Sequence, residues 1–357
     1  MKIAIDISSV IYGTGVSVYT KNLVRSLLKI DKDNKYILFG GSFRRKAELK
    51  NFTKDLEGNF ETRFFNLPPL ALDVLWNRLG FLSIERLVGN IDVYHSSDWS
   101  QAPSKAFKVT TVHDLAPILL PQQTHPKIVA VHKRKLARSI KYCNATIVPS
   151  KSTKKDLVDL GADAKKIHVI YEAIDPDFKK TSKSEVERVK KKYRLSDSYA
   201  LSVGASRRKN ISKAVAAFEK AATETGLKEY VITGSGYMPE GRGIRALGYV
   251  DLTDLSALYT GAKVFLYPSL YEGFGLPILE SFICETPVVT SNTSSMPEVA
   301  GDAAILVNPE DEENIADGII KAIKNNDSLV KKGLKQVNKF SWQEAVKQTL
   351  AVYNKAT

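Results

Sequence analysis

Glu272 and Glu280 stand eight residues apart in the run Ser269-Leu270-Tyr271-Glu272-Gly273-Phe274-Gly275-Leu276-Pro277-Ile278-Leu279-Glu280. Between the two carboxylates lies a glycine-rich turn stopped by proline. The apolar run 262–267 before it predicts a buried strand, and residues 278–284 after it predict a helix. Pro277 suits the first helical position, where a missing N–H costs nothing. A strand, a tight turn and a helix N-terminus together make an anion site, because free N–H groups and the helix dipole converge there. The glutamates add acceptors for hydroxyls. Phosphate-binding donors beside hydroxyl acceptors describe a site for a nucleotide-sugar. Each part alone is weaker: glycine turns after strands are common, and the dipole by itself favours a glutamate in a helix's first turn.

Val203-Gly204-Ala205-Ser206-Arg207-Arg208-Lys209-Asn210 also follows a predicted strand and precedes a helix. Three consecutive cations at a helix N-terminus are electrostatically poor unless an anion sits among them. The alternative is a solvated basic loop. His113 and Asp114, in Thr110-Thr111-Val112-His113-Asp114-Leu115-Ala116-Pro117, end a strand, where open α/β sheets bind ligands. A lone histidine is more often structural, and Asp114 could instead orient the backbone of its turn. Gly13-Thr14-Gly15 after the first strand is a weak signal alone, lacking the third glycine of the dinucleotide fingerprint. His95, in Tyr94-His95-Ser96-Ser97, reads as structural or acceptor-facing. Asp31-x-Asp33 and Asp175-x-Asp177 have the spacing of metal-binding pairs, but neither follows a buried strand. No catalytic metal and no cofactor are expected, with Lys209 and its neighbours supplying the positive charge.

Strand and helix patterns alternate along the whole chain, which predicts an α/β protein with parallel sheets. In the first half, strands are expected at 2–7, 36–39, 93–95, 109–112 and 145–148. Helices are expected at 16–30, with Val16, Tyr19, Leu23, Leu27 and Ile30 on one stripe, and at 127–142, with a basic outer face. A second series holds strands near 200–203, 230–233, 264–267 and 287–290, and a helix at 212–223. The charged run 179–194 reads as a solvated helix and 342–353 as a helical tail. The expected domains are 1–173 and 174–341.

The chain of 357 residues is comfortable for two domains. No apolar stretch reaches the length of a membrane-spanning helix, and the N-terminus reads as a strand rather than a signal peptide. Cys143 and Cys284 read as core thiols of a reducing compartment. The net charge is +13, and residues 1–170 carry +12 of it. Between Lys127 and Lys155 there are nine basic residues and no acidic one. Such a face attracts polyanions. Nucleic acid is not expected as the partner, because no stacking platform or recognition helix accompanies the charge. An anionic membrane surface is expected, with apolar help from Phe64-Phe65-Asn66-Leu67-Pro68-Pro69-Leu70 and Val74-Leu75-Trp76.

The Glu272–Glu280 run resembles the Glu-x7-Glu motif of the glycosyltransferase group 1 family. The likeness extends through Pro287-Val288-Val289-Thr290-Ser291-Asn292 and Met296-Pro297-Glu298-Val299-Ala300-Gly301, and so covers residues 248–309 almost without a gap. Arg208-Lys209-Asn210 resembles the family's Pro-Arg-Lys-Asn turn, with Arg207 in place of the proline and Ser206 in place of the usual glutamate. Ala205 stands where many relatives carry arginine. Thr111-Val112-His113-Asp114-Leu115 resembles its Thr-x-His-Asp-Leu segment, and Gly13-Thr14-Gly15 its N-terminal glycine loop. Cys284-Glu285-Thr286 departs from the usual Cys-Gly-Thr.

The resemblance implies the GT-B fold: two facing Rossmann-like domains with the nucleotide-sugar in the cleft, and a C-terminal helix that often packs back on the first domain. It implies a retaining transferase without a protein nucleophile. His113, Glu272 and Lys209 would be catalytic. Gly13, Gly15, Arg208, Lys209, Gly273, Phe274, Gly275 and Glu280 would bind the donor, Glu280 through the ribose. Overall similarity to the mannosyltransferase-like branch makes GDP-mannose the first donor expectation and a UDP-sugar the second. The acceptor would be a lipid-linked or cell-surface glycan, and the enzyme would work at the cytoplasmic face of the cell membrane. The alternatives are a soluble glucan synthase-like or phosphorylase-like enzyme, the latter needing a lysine-bound pyridoxal, or a basic nucleic-acid-binding protein.

Overall fold

A computed structural model describes residues 1–357, apart from the side chain of Pro69. The chain divides into two compact units, Met1–Glu172 with Ser341–Thr357, and Ala173–Phe340.

The first unit holds strands β1 (Lys2–Asp6), β2 (Lys35–Gly41), β3 (Phe60–Phe65), β4 (Val93–Ser96), β5 (Phe107–Thr111), β6 (Ala145–Val148) and β7 (Ile167–Val169). They form one sheet in the order β3-β2-β1-β4-β5-β6-β7, and every pairing is parallel. Parallel strands covered on both faces read as near-continuous apolar runs. So it is in β1, where Ile3 and Ala4 are wholly buried and Ile3 sits between Tyr36 and Val93. The sheet order reverses direction between β1 and β4, and the loops after these strands therefore diverge to leave a crevice.

On this sheet the helix Gly15–Ile30 buries Tyr19, Leu23 and Leu27, together with Val24 and Leu28; Ile30, expected on the same stripe, is exposed. The helix Trp342–Tyr353 belongs to this unit. It starts at Ser341, whose side chain accepts the Glu344 N–H at 3.2 Å, and Trp342 packs on Tyr19 with ring centroids 5.7 Å apart.

The basic helix, Pro126–Tyr142, does not carry all its cations outward. Lys135 is buried, its Nζ donating to Thr110 Oγ1 at 2.7 Å, and Arg134 pairs with the buried Asp73. Apolar contacts expected at the surface are also partly internal. Trp76 is buried and donates to the Leu82 carbonyl at 3.0 Å, while Phe64 and Phe65 lie in β3, paired with Gly40 and Gly41. A strand must fill its covered face, and β3 is an edge strand beyond those the sequence predicts.

The second unit holds β8 (Tyr199–Ala205), β9 (Glu229–Gly236), β10 (Ile244–Gly248), β11 (Val264–Tyr267), β12 (Val288–Ser291) and β13 (Ile305–Val307). Their order is β10-β9-β8-β11-β12-β13, again with parallel pairings. Here the reversal falls between β8 and β11. Ala214, Ala217 and Ala221 of the helix Ile211–Thr225, and Ile315, Ile319 and Ala322 of the helix Glu312–Lys324, close one core over this sheet. The charged run forms the helix Lys183–Tyr193. It is anchored as well as solvated: Arg188 and Tyr193 donate to the buried Asp254 at 2.6 and 2.9 Å.

Candidate active site

The loops that follow β8 and β11 leave adjacent strands at the reversal point of the second sheet, and their side chains meet. After β8 the backbone makes a single 3-10 turn, Arg207–Lys209. Asn210 then takes a left-handed conformation, φ 59°, which asparagine tolerates better than most residues. Its Nδ2 donates to the Pro309 carbonyl at 2.6 Å. The Leu270 N–H donates to the Arg208 carbonyl at 2.8 Å and so ties the two loops together.

From this platform Arg208 and Lys209 converge on Glu272. Arg208 Nη1 donates to Glu272 Oε2 and to the Tyr271 carbonyl, the latter at 3.2 Å. Lys209 Nζ forms an ion pair with Glu272 Oε1 at 2.7 Å. Its well-aligned hydrogen bond goes to Tyr267 Oη at 2.6 Å, and the ammonium lies 4.3 Å from that ring's centroid. Lys209 is therefore largely enclosed rather than on an open surface turn, with its side chain 13% exposed.

Burial works to raise the pKa of Glu272, but the charges of Lys209 and Arg208 outweigh it and hold it at about 2. Burial lowers the Lys209 pKa against the pull of Glu272. Two cations share one carboxylate, so the cluster keeps a net positive charge.

Glu272 is held from behind. Ser294 and Ser295 hydroxyls donate to its carbonyl at 2.6 and 2.9 Å, and Ser295 also donates to the Phe274 carbonyl at 2.6 Å. The Phe274 side chain is buried, edge-on to Phe340 at 5.5 Å. Any part it plays toward a donor therefore falls to its main chain. Gly275 caps the helix Leu276–Ile283 at φ 113°, a conformation closed to residues with a Cβ. Pro277 takes the second helical position of this helix. One turn on, Glu280 accepts from Tyr259 Oη at 3.0 Å. Burial pushes its pKa up to about 7, against the Tyr259 hydrogen bond and the Lys209 charge. Glu285 adopts φ 60° where the family has glycine, and it pairs with Lys180.

In the first unit, Gly13 makes the turn after β1 at φ 68°. A Cβ built on Gly13 or Gly15 meets nothing within 4 Å, so this loop presents bare backbone. Thr14 caps the following helix in a box with Ser17, whose Oγ takes the Thr14 N–H at 3.2 Å.

Beyond β5, His113 Nδ1 lies 2.9 Å from Glu172 Oε1. Burial works to lower the His113 pKa, yet the hydrogen bond and charge of Glu172 carry it above the usual value. Asp114 accepts the Ala116 N–H at 2.9 Å and so shapes its own turn. His95 is buried between Tyr353 Oη at 2.6 Å and Thr111 Oγ1 at 2.8 Å, and burial drives its pKa down to about 3. It is a neutral structural residue that fastens the C-terminal helix to the sheet.

Among the described residues, no group of three His, Cys, Asp or Glu side chains is placed to hold a metal ion. Asp31 accepts from Asn34 and Tyr36, and Asp175 from the Asp177 N–H. Sequence reasoning missed three residues of these constellations: Tyr267, Tyr259 and Glu172. Tyr267 ends β11, and a polar tip at that strand end was a signal to use. Tyr259 and Glu172 are distant in sequence from their partners and left no local sign.

Comparison with known proteins fits this geometry. The family described as Glycosyl transferases group 1 matches residues 183–336, and the one described as Glycosyltransferase Family 4 matches residues 13–178. The O-antigen chain mannosyltransferase B of Escherichia coli is 33% identical over 283 residues, covering 73% of this chain and 74% of that protein. This chain belongs to the glycosyltransferase group 1 family. The O-antigen chain mannosyltransferase RfbU of Salmonella typhimurium is 29% identical, with 61% of this chain and 60% of that one covered. Against the serotype-specific mannosyltransferase WbdA of Escherichia coli, 30% identical, 66% of this chain matches only 32% of a longer protein.

The crystal structure of Anabaena Alr3699/HepE in complex with UDP and glucose superposes with a TM-score of 0.73 at 14% identity, covering 99% of this chain and 100% of that one. The two parallel Rossmann-like sheets are thus those of a GT-B glycosyltransferase. Arg208, Lys209, Glu272 and Glu280 stand on the second of them.

Proposed function

We propose that this glycosyltransferase moves mannose from GDP-mannose to a lipid-linked or cell-surface glycan, with retention of configuration and without a metal. The observation that carries the reading is the Arg208–Lys209–Glu272 cluster at the reversal point of the second sheet. Its surplus positive charge suits a diphosphate, on which negative charge develops as the bond to the sugar breaks. Stabilising that leaving group is the largest catalytic contribution the site offers.

Arginine grips two oxygens of the diphosphate and lysine adds a point charge, with the backbone at Gly273–Gly275 beside them in the same unit. Glu280 accepts from the ribose hydroxyls. Glu272, ionised and with each oxygen against a cation, is a poor nucleophile. Its role is to seat the two cations and to accept from the sugar's hydroxyls. His113 hydrogen-bonds a hydroxyl of the transferred sugar. The choice of mannose rests on the Escherichia coli and Salmonella relatives, which bear mannosyltransferase names.

Thermal-shift titration of the chain against GDP- and UDP-sugars tests the donor. A donor at 100 times its dissociation constant stabilises by about 2.7 kcal/mol. Stabilisation by a UDP-sugar and none by GDP-mannose would overturn the mannose assignment.

The partner surface we assign to the first unit is an anionic membrane. No described helix is long and apolar enough to cross a bilayer, and the contact we propose is peripheral. Leu70, Leu79 and Phe81 are exposed. The Arg138 guanidinium lies against Gly80, between Leu79 and Phe81, and stacks on the exposed Tyr142 at 4.9 Å, where Lys141 also approaches at 5.1 Å. Exposed apolar side chains near Arg138 and Lys141 fit lipid headgroups at the cytoplasmic face.

A further inference from the structure

The pair formed by His113 and Glu172 has a consequence for the reaction. The two residues are far apart in sequence, yet both side chains are enclosed, 13% and 8% exposed. A carboxylate only accepts, so the imidazole must carry its hydrogen on Nδ1. The ring is fixed further by Tyr19, edge-on with centroids 4.5 Å apart.

We infer that Glu172 is a positioning residue that locks the His113 ring with Nδ1–H committed, so that a second proton on Nε2 makes His113 a charged hydrogen-bond donor. This rests on the reading above, in which His113 touches the transferred sugar. In the neutral ring so held, Nε2 has a lone pair and accepts. In the imidazolium, Nε2–H donates, and donors to a departing or flattening sugar are strongest when charged.

The charged groups around His113 are Glu172, Asp98 and Asp114, all of which favour the imidazolium. His95 and Lys135 are close enough to one another to interact, and His95 also feels His113, but His95 is held neutral by burial. The balance keeps the second proton on His113 to a higher pH than an ordinary histidine would hold it.

The alternative is a pair that merely braces the chain at Glu172, where it leaves the first unit for the second. A brace would affect stability but would leave the pH profile alone. The test uses Glu172→Gln in the full chain, which keeps the shape and an acceptor oxygen but removes the charge. The His113 resonance is followed by NMR, and assigned by its loss in His113→Gln. Its pKa should fall by about one to two units in Glu172→Gln. The alkaline limb of kcat against pH should move to lower pH by the same amount, with KM for the donor changing less than the turnover. Glu172→Asp, shorter but charged, should restore part of the shift.

An unmoved His113 pKa overturns the inference, and so does an unmoved kcat limb beside a shifted pKa. If Glu172→Gln does not fold, His113→Gln decides: the limb must vanish in it, and persistence of the limb overturns the inference. An error in the donor shows itself separately, as wild-type transfer from another nucleotide-sugar, with which the same limb is then read.

Discussion

Lys209→Ala removes one of the two cations we assign to the departing diphosphate. An ammonium about 4 Å from an anionic oxygen interacts with about 4 kcal/mol at an effective dielectric near 20. If most of that is gained as charge develops on the leaving group, its loss lowers kcat/KM by about 10² to 10³. Stability should also fall, because the residue is enclosed and paired, with Lys209 13% and Glu272 7% exposed. The fall should be modest, about 1–2 kcal/mol, short of the 3–5 kcal/mol that follows when a buried charge loses its whole partner set. Arg208, which donates to Glu272, is left in place by the substitution. The assay is sugar transfer or donor hydrolysis with purified protein, beside a thermal melt at the same pH. A variant that melts like wild type, and turns over within threefold of it, would refute both the clamp and the view of Lys209 as an enclosed cation.

Glu280 titrates at about 7, and its ionised form is the better acceptor for ribose hydroxyls. Affinity for an intact nucleotide-sugar should therefore strengthen as pH rises from 6 to 8, by at most about tenfold per unit below the pKa; calorimetry on Glu280→Gln should show a flat profile and weaker binding. Glu285 holds a left-handed backbone at φ 60°. Denaturant melts should find Glu285→Gly more stable than Glu285→Ala by about 1 kcal/mol, since only glycine relieves the Cβ clash, and equal stability would remove the strain argument. For the membrane surface, co-sedimentation should need anionic vesicles and collapse at high salt. Leu79→Ser with Phe81→Ser, or Lys141→Gln with Arg138→Gln, should release the protein while donor hydrolysis stays intact. Equal sedimentation with neutral and anionic vesicles would show that the charge serves something else.

Much of the fold is local in origin and legible as such. The strands β1, β6, β8, β11 and β12 are short apolar runs, and the helices Gly15–Ile30 and Trp342–Tyr353 carry periodic stripes bounded by caps. Strands β3, β7, β10 and β13 escaped because they lie outside the central strands of their sheets and are only partly covered. Phe60–Phe65 mixes charge with aromatics, and Ile305–Val307 is three residues long.

The same contrast runs through the site. The candidate residues of each unit lie at strand ends and helix starts, where local pattern singles out Glu272, Glu280, Arg208 and Lys209 in the second unit and His113 in the first. Their chemistry does not lie there. That Arg208 and Lys209 close on Glu272 depends on β8 and β11 being neighbours at the reversal of the sheet. That Glu280 titrates near neutrality depends on burial beside Tyr259. That Lys135 and Arg134 leave the basic face depends on Thr110 and Asp73 waiting beneath the helix.

The sequence by itself determined the central strands, the two-unit α/β plan and which residues are candidates for chemistry, because propensity and period act over a few residues. Only the tertiary structure decided which charges are paired, which are enclosed and where each proton resides, because those follow from contacts such as His113 with Glu172, made between residues that no local pattern links.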